Sequence, residues 1–302
     1  MSLQSTIINS QGVCIIDPSF HADRQANYHL SIQISSHYVM WCILDIPNKK
    51  YIGLEYIPYD QNCSFTAQKK KLENLISRSD HLKLKFKTVS CSIAHDKFTL
   101  VPLPLYSKDK AGLYLNFNIG LENQNSNSKS NGNSKQVGAD KLQNLEAVNV
   151  YYAPDMICSV LKRAFPSVTF MHHASPLIES LLLSCKNKNS NRVFINFQKG
   201  EFGIALIENN QLKLYNSFSY ETKEDFVYYV LFAFEQLKLN PETIDLVVLG
   251  ELDRDSSYFQ LLYKYVRHIN LISKPETFDY CYGLKELPGQ YFYNLYCQYQ
   301  CV

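Results

Sequence analysis

A triplet of strand-like segments occurs twice in the sequence, and a helix-like segment follows it each time. The first triplet is YHLSIQISS, YVMWCILD and KYIGLEYIPY, at about residues 28–36, 38–45 and 50–59. The second is RVFINFQ, FGIALIE and LKLYNSFSY, at about residues 192–198, 202–208 and 212–220. β-Branched and aromatic residues favour strands in both copies, and short turns join their members. This duplication predicts an α/β protein of two related lobes, each with a mixed five-stranded sheet and flanking helices.

The second copy continues as a regular alternation of helices and strands. Thr222 and Asp225 form a shortened capping box that predicts a helix start, and Asp255 is expected to cap the next helix. The predicted elements are a helix at 222–237, a buried strand at 244–250, a helix near 255–267, a strand at 268–272 and a last helix after Gly289. This order, β-β-β-α-β-α-β-α, is that of an RNase H-like domain.

The first half is less regular, and one segment of it has almost no apolar residues. That segment, NQNSNSKSNGNSKQVGAD at 123–140, cannot bury surface and is predicted to be a disordered loop. Around it, strands are predicted at 82–90, 98–102, 145–152 and 167–170, with helices from Ser107, at 155–164 and at 175–185. The predicted division is an N-terminal extension at 1–26, a first lobe at 27–188 and a second lobe at 189–302.

The overall composition excludes several classes of protein. The net charge of +2 and pI near 8.0 do not suit a dedicated nucleic-acid binder. The start of the chain does not have the pattern of a signal peptide, and the densest apolar run, at 226–234, is far shorter than the ~20 residues that span a bilayer. The nine cysteines are irregularly spaced, which favours reduced thiols over a zinc site. We therefore expect a cytoplasmic protein without a metal centre.

Two tandem RNase H-like units are the signature of the actin-like superfamily. More narrowly, the chain resembles a bacterial family catalogued as domain of unknown function 3822. The resemblance rests on FTLVPLPLY (98–106), MHHASPLIESLL (171–182) and the long segment 194–256, and it covers most of residues 27–301. It implies an actin-like ATPase fold and assigns no activity.

Actin-like ATPases hold phosphates with one hairpin in each lobe, and each hairpin carries an acidic residue and a glycine. In the first lobe the matching hairpin contains Ser35 and Ser36 but neither a carboxylate nor a glycine. In the second lobe, Asn196 replaces the expected aspartate and Gln198 replaces the expected glycine. Because a carboxylate normally holds Mg²⁺ at such sites, we expect no ATP hydrolysis.

Two glycines of the second lobe keep a nucleotide site open as an alternative. Gly200 remains at the turn of the hairpin, and Gly250 ends a buried strand where the adenosine-side motif of the superfamily would lie. A strand-to-helix turn often requires one glycine for conformational reasons alone. ATP with Mg²⁺ is therefore possible but disfavoured. An RNase H-like nuclease is disfavoured too, because the first strands carry no carboxylates.

Three other groups of residues have both a functional and a structural interpretation. His172 and His173 precede a helix and could contact a ligand, or one could be solvated while the other bonds the chain. Lys83, Lys85 and Lys87 are expected on one strand face, where they either dock an acidic partner or RNA or protect an edge strand. The aromatic C-terminal helix, with residues such as Tyr291, could bind a partner or be core.

The leading hypothesis is a non-catalytic actin-like scaffold or binding module that holds a peptide or small ligand between its lobes. A protein partner is expected, and by fold-level analogy it could be a segment of a membrane protein, which would allow peripheral membrane association. The alternative is a nucleotide-binding protein or weak ATPase with a degenerate phosphate site. A kinase-like transferase lacks a convincing catalytic carboxylate.

Overall fold

The computed structural model describes residues 12–59, 63–119, 135–186 and 191–302, and two large mixed sheets organise them. The strands of the first sheet are β1 (Val13–Ile16), β2 (Tyr28–Ile34), β3 (Tyr38–Asp45), β4 (Lys50–Pro58), β5 (Thr88–Ile93) and β9 (Thr169–His172). They lie in the order β1-β4-β3-β2-β5-β9. The pairs β4/β3 and β3/β2 are antiparallel, whereas β2/β5 and β5/β9 are parallel.

The second sheet repeats this pattern. Its strands are β10 (Arg192–Gln198), β11 (Glu201–Glu208), β12 (Gln211–Ser219), β13 (Asp245–Gly250) and β14 (His268–Leu271), in the order β12-β11-β10-β13-β14. The hairpin strands are again antiparallel, and β13 and β14 add in parallel. The five strands that the sheets share, three antiparallel and two parallel, confirm the predicted actin-like duplication. The first sheet has seven strands and not the predicted five, because β1 and a short later strand pair with β4.

A small third sheet extends the first lobe. It consists of β6 (Phe98–Pro102), β7 (Lys135–Lys141) and β8 (Ala147–Pro154), in the order β6-β8-β7. The prediction of a loop over 123–140 is therefore wrong at 135–140, whereas 123–134 lie outside the described residues. Gly138 explains the error, because a Cβ there would lie 2.3 Å from Cζ of Tyr151. Composition assigns this glycine to a loop, whereas in the structure it lies in β7 and leaves space for the Tyr151 ring.

The helices cover the outer faces of the sheets and fill the space between the lobes. They are α1 (Phe65–Arg78), α2 (Ala111–Ile119), α3 (Asp155–Ala164), α4 (Ala174–Cys185), α5 (Lys223–Gln236), α6 (Ser257–Leu262), α7 (Tyr282–Glu286) and α8 (Gly289–Cys297). The capping box of α5 is present, since Thr222 Oγ1 accepts from the Asp225 amide at 3.1 Å and Asp225 Oδ2 accepts from the Thr222 amide at 2.9 Å. Ser256, not Asp255, caps α6, because its hydroxyl oxygen accepts from the Phe259 amide.

Helix α8 lies in the interior, in contact with both large sheets. Phe292 and Tyr296 pack with β3 and β4 of the first sheet, whereas Tyr293 packs with β10 and β11 of the second. All residues from 290 to 297 are buried. The aromatic C-terminal helix is therefore core. By contrast, α5 is not covered on all sides, because Tyr228 and Phe232 are exposed.

Two further predictions at the edges of the first lobe differ from the structure. Residues 13–16, assigned to an N-terminal extension, form β1 and pair with β4. Lys83, Lys85 and Lys87 do not lie on a strand, because residues 80–83 form a 3₁₀ turn and β5 begins only at Thr88. The side-chain oxygen of Gln25 accepts from the Lys85 amide at 2.6 Å, so a side chain distant in the sequence replaces the expected strand partner.

The second lobe also returns to the first through the end of the chain. β15 (Asp279–Tyr280) pairs in parallel with β4, after which α7 and α8 follow.

Within the described residues, every helix is too short or too polar to cross a bilayer, and no disulfide links any of the nine cysteines.

Candidate functional site

The turns of the two repeated hairpins face each other across a cleft between the lobes. Ser36 and His37 line it from the first lobe, and Lys199, Gly200 and Glu201 line it from the second. The cleft has a volume of about 470 Å³. This volume lies within the range of roughly 300–1,000 Å³ typical of ligand sites.

Local hydrogen bonds fix the first-lobe turn. The Ser35 amide donates to the Tyr38 carbonyl at 2.9 Å, and the Ser35 hydroxyl accepts from the His37 amide at 3.2 Å. The carbonyl of Ser36 accepts from the Cys63 amide at 2.9 Å. Ser35 is buried, whereas Ser36 reaches the cleft wall. Of the two predicted serines, one closes the turn and only the other faces the cleft.

The cleft contains carboxylates that the sequence analysis did not assign to it. Asp96 lies in its first-lobe wall, and Glu201 directly follows the turn glycine of the second lobe. Burial, together with the nearby charge of Asp96, raises the pKa of Glu201 to about 7. The sequence shows Glu201 beside Gly200, but nothing in it places Asp96 opposite.

Basic groups border the same cleft. Lys97 and Lys199 are exposed in its walls. His37 also lines the cleft and is partly buried. Burial lowers the pKa of His37, and the charge of Lys199 lowers it further. The cleft therefore presents both signs of charge, with the acidic pair contributed by opposite lobes.

Gly250 belongs to a structural turn beneath the cleft. Its φ is +90°, and a Cβ at this position would lie 2.0 Å from the carbonyl oxygen of Phe197. That oxygen accepts a hydrogen bond from the Glu251 amide at 2.9 Å. The conformation and the close approach of β10 thus account for glycine at this position without a ligand.

Glu251, the next residue, carries a carboxylate into the space between the lobes. Tyr56 donates to Glu251 Oε1 at 3.3 Å. Burial raises the pKa of Glu251 to about 7, while this hydrogen bond and the charge of Lys199 act in the opposite direction. The sequence analysis identified Gly250 at the end of this strand but gave no role to the carboxylate that follows it.

Asn196 and Gln198 lie below the cleft, beside a cavity of about 10 Å³. Gln33, Glu251 and Asn294 are in the same wall. A cavity of this volume corresponds to about one water molecule. Neither a phosphate group nor a magnesium ion with its octahedral shell of oxygens fits there. The residues at the predicted metal-side positions therefore do not fit a magnesium-bound triphosphate.

His172 and His173 are both buried, so the expectation that one is solvated is wrong. The ring of His172 bonds within the first lobe, with Nε2 2.9 Å from the carbonyl oxygen of His95 and Nδ1 accepting from the Ala174 amide at 3.2 Å. The carbonyl of His173 accepts from Asn294 Nδ2 at 3.0 Å. Neither histidine lines the interlobe cleft, and a ligand would reach them only by opening this network.

Burial also keeps these imidazoles neutral. It lowers the pKa of His172 well below its usual value and that of His173 to about 3. In the described part of the chain, no group of three or more His, Cys, Asp or Glu side chains is arranged to hold a metal ion.

Comparisons with known proteins agree with this architecture. A family described as "Protein of unknown function (DUF3822)" matches residues 17–269. A protein of Bacteroides thetaiotaomicron with an actin-like ATPase fold and unknown function superposes with a TM-score of 0.72 at 24% identity, covering 84% of this chain and 93% of that one. The PilM-PilN type IV pilus biogenesis complex includes a chain that superposes with a TM-score of 0.57 at 10% identity, covering 91% of this chain and 98% of that one. No curated protein sequence matches.

Proposed function

The chain belongs to the DUF3822 family of proteins of unknown function, and from this premise we propose that it is an actin-like binding module. Its interlobe cleft would hold an extended segment of a partner protein. The protein would act by binding, and its hairpins would not hydrolyse a nucleotide.

The observation that carries this proposal is the continuation of the cleft into a second groove. A cavity of about 440 Å³ lies next to the cleft, and Asp96 and Ser219 line both. The second cavity is bordered by β6 and β12, each of which is the outermost strand of its sheet among the described residues. An elongated groove beside strand edges suits an extended peptide, whose main chain can pair with such an edge.

The walls of this groove offer the mixture of surfaces that peptide recognition uses. Phe98 and Tyr215 make an edge-to-face contact at 5.5 Å between ring centroids, and both line the second cavity. Thr99, Asn118 and Asn216 add polar groups. Aromatic side chains can pack against the apolar part of a peptide while amides and hydroxyls fix its register.

Charge indicates which side chain the partner would place at the junction of the two cavities. Asp96 and Glu201 stand on opposite lobes, and their mutual repulsion contributes to the raised pKa of Glu201. A lysine or arginine between them would relieve this repulsion and favour the charged form of Glu201. We therefore expect an extended segment with one basic residue.

The fold of this chain is compatible with such a role. A structure of similar fold is a component of the PilM-PilN complex, which is an assembly of proteins. By analogy alone, the partner here could be a segment of a membrane protein, with the chain itself on the cytoplasmic side.

A specific observation also supports the alternative, a nucleotide-binding protein or weak ATPase. The cleft lies between the two hairpin turns, and Lys199 and Gly200 could meet phosphate oxygens there. Against this alternative, the deeper metal-side positions carry Asn196 and Gln198 around a water-sized cavity. An amide is a poor substitute for the carboxylate that holds Mg²⁺.

Peptide selection on the purified chain tests the proposal. Peptides from a random displayed library would be selected and their affinities measured by fluorescence anisotropy. We expect enrichment of Lys or Arg at one position, and at least a tenfold loss of affinity in the double variant Asp96→Asn, Glu201→Gln. Alternate N-methylation of the peptide should also abolish binding, because it removes main-chain donors.

A matched control is available on the same strand. Glu201 and Glu208 are the first and last residues of β11 and therefore lie about 23 Å apart at 3.3 Å per residue. Glu208→Gln should leave peptide affinity unchanged. Equal losses in both variants, or no enrichment of basic residues, would contradict the proposal. Magnesium-dependent phosphate release that Glu201→Gln abolishes would favour the alternative.

A further inference from the structure

Four buried amide side chains from three elements surround the cavity of about 10 Å³ beneath the cleft. Gln33 comes from β2 of the first sheet, Asn196 and Gln198 come from β10 of the second, and Asn294 comes from α8. Each is at least 94% buried. We refer to these four residues as the amide cage.

Each member of the amide cage has one polar atom without a hydrogen-bond partner in the protein. These atoms are Gln33 Oε1, Asn196 Nδ2, Gln198 Oε1 and Asn294 Oδ1. An orphaned buried donor or acceptor destabilises the folded state, so four in one place would be a large and unusual penalty. The shared cavity offers a common solution.

Other contacts hold these amides in position around the cavity. Gln33 Nε2 donates to the Tyr38 hydroxyl at 2.6 Å, and Asn294 Nδ2 donates to the His173 carbonyl at 3.0 Å. Since a carbonyl can only accept, the bond to His173 fixes Asn294 with its oxygen as the remaining group. Both of these neighbours belong to the first lobe.

We propose that the amide cage binds a single water molecule that joins the two lobes. The volume matches one water, and three of the four orphaned atoms supply the two to four partners that an internal water uses. Such a water accepts from Asn196 and donates to two of the three amide oxygens. It links the two sheets and the last helix at the positions where the sequence departs from the phosphate-binding pattern.

A monovalent cation is the competing occupant, because three of the orphaned atoms are oxygens and Glu251 lies in the same wall. The observations favour water for two reasons. Asn196 lines the same cavity with its Nδ2 unpaired, and an N–H group there would repel a cation. Water can also satisfy any orientation of the cage amides, since it both donates and accepts.

A crystal structure at about 1.5 Å resolution or better tests the proposal, with crystals soaked in rubidium chloride as a probe for cations. We expect one spherical density peak within about 2.7–3.2 Å of at least three cage atoms and no anomalous signal from rubidium. An anomalous peak would show a cation site and overturn the proposal. A cavity without density would overturn it as well.

Variants provide a second readout in the same crystals. Gln198→Met removes one orphaned oxygen and extends an apolar side chain toward the cavity, so it should displace the water. Gln290→Met is the matched control, because Gln290 lines the same cavity but has Asp253 Oδ1 3.5 Å from its Nε2. The water should remain in Gln290→Met. Loss of the density in both variants, or in neither, would contradict binding by the cage amides.

Discussion

Gly250 and Gly200 are the two glycines that the sequence offers for a nucleotide site. Replacing each by alanine separates a need for glycine in the fold from a need for glycine at a ligand. Both have positive φ, +90° and +80° respectively. They differ in the space available, since a Cβ at Gly250 would lie 2.0 Å from the Phe197 carbonyl oxygen, whereas nothing lies within 4 Å at Gly200. The two substitutions therefore share a backbone cost and differ by a steric one.

The expected magnitudes follow from these two terms. A non-glycine residue in a left-handed conformation costs about 1–2 kcal/mol, which is the whole expected effect of Gly200→Ala. Gly250→Ala adds a collision with backbone atoms of β10, which cannot rotate away as a side chain could. Forced repacking of this kind costs about 1–3 kcal/mol, so the total loss at Gly250 is about 2–5 kcal/mol.

Urea unfolding followed by circular dichroism measures both losses of stability. The comparison holds if the free energy of unfolding falls equally steeply with urea concentration in all variants. Gly112→Ala is the control for the added methyl group, because Gly112 lies in α2 with no atom within 4 Å of the new Cβ. It should stabilise the protein by up to about 1 kcal/mol. Equal losses at Gly250 and Gly200 would refute the steric argument and reopen a ligand-based explanation for Gly250.

Three further predictions test individual contacts. The pKa of Glu251 is raised from 4.5 to about 7 on folding, so its contribution to stability is fully present below about pH 4.5 and is lost as pH rises through 7. Glu251→Gln should remove this loss when the free energy of unfolding is measured with urea from pH 4 to 8. If the assignment is wrong, this free energy will change with pH in the same way in both proteins. Gly138→Ala should destabilise the first lobe by about 1–3 kcal/mol, because its Cβ meets the Tyr151 ring; thermal unfolding should show partial rescue when Tyr151→Leu is added, and no rescue would argue against this contact. Thr222→Ala removes the cap of α5 and should cost about 1 kcal/mol in urea unfolding, whereas Thr222→Ser should be nearly neutral.

The sequence determined the architecture because the repeated strand triplets depend on local signals. Alternation, β-branched residues and turn residues place β2–β4 and β10–β12, and these elements have the expected bounds to within one or two residues. The capping box of α5 was predictable for the same reason, since both partners lie within one helical turn. Local patterns failed where a distant residue decided the outcome, as Tyr151 does for Gly138 and Gln25 does for Lys85.

The sequence predicted several residues of the candidate site but not how they are grouped in space. The sequence identified the hairpins, including Gly200 and the amides Asn196 and Gln198, because these positions follow from the repeat. Only the tertiary structure placed Asp96 opposite Glu201, brought Glu251 between the lobes and grouped the four amides around one cavity. These groupings join residues far apart in the chain, and no local spacing records them; they arise because two sheets and a buried helix pack together and bring the ends of their strands to one place.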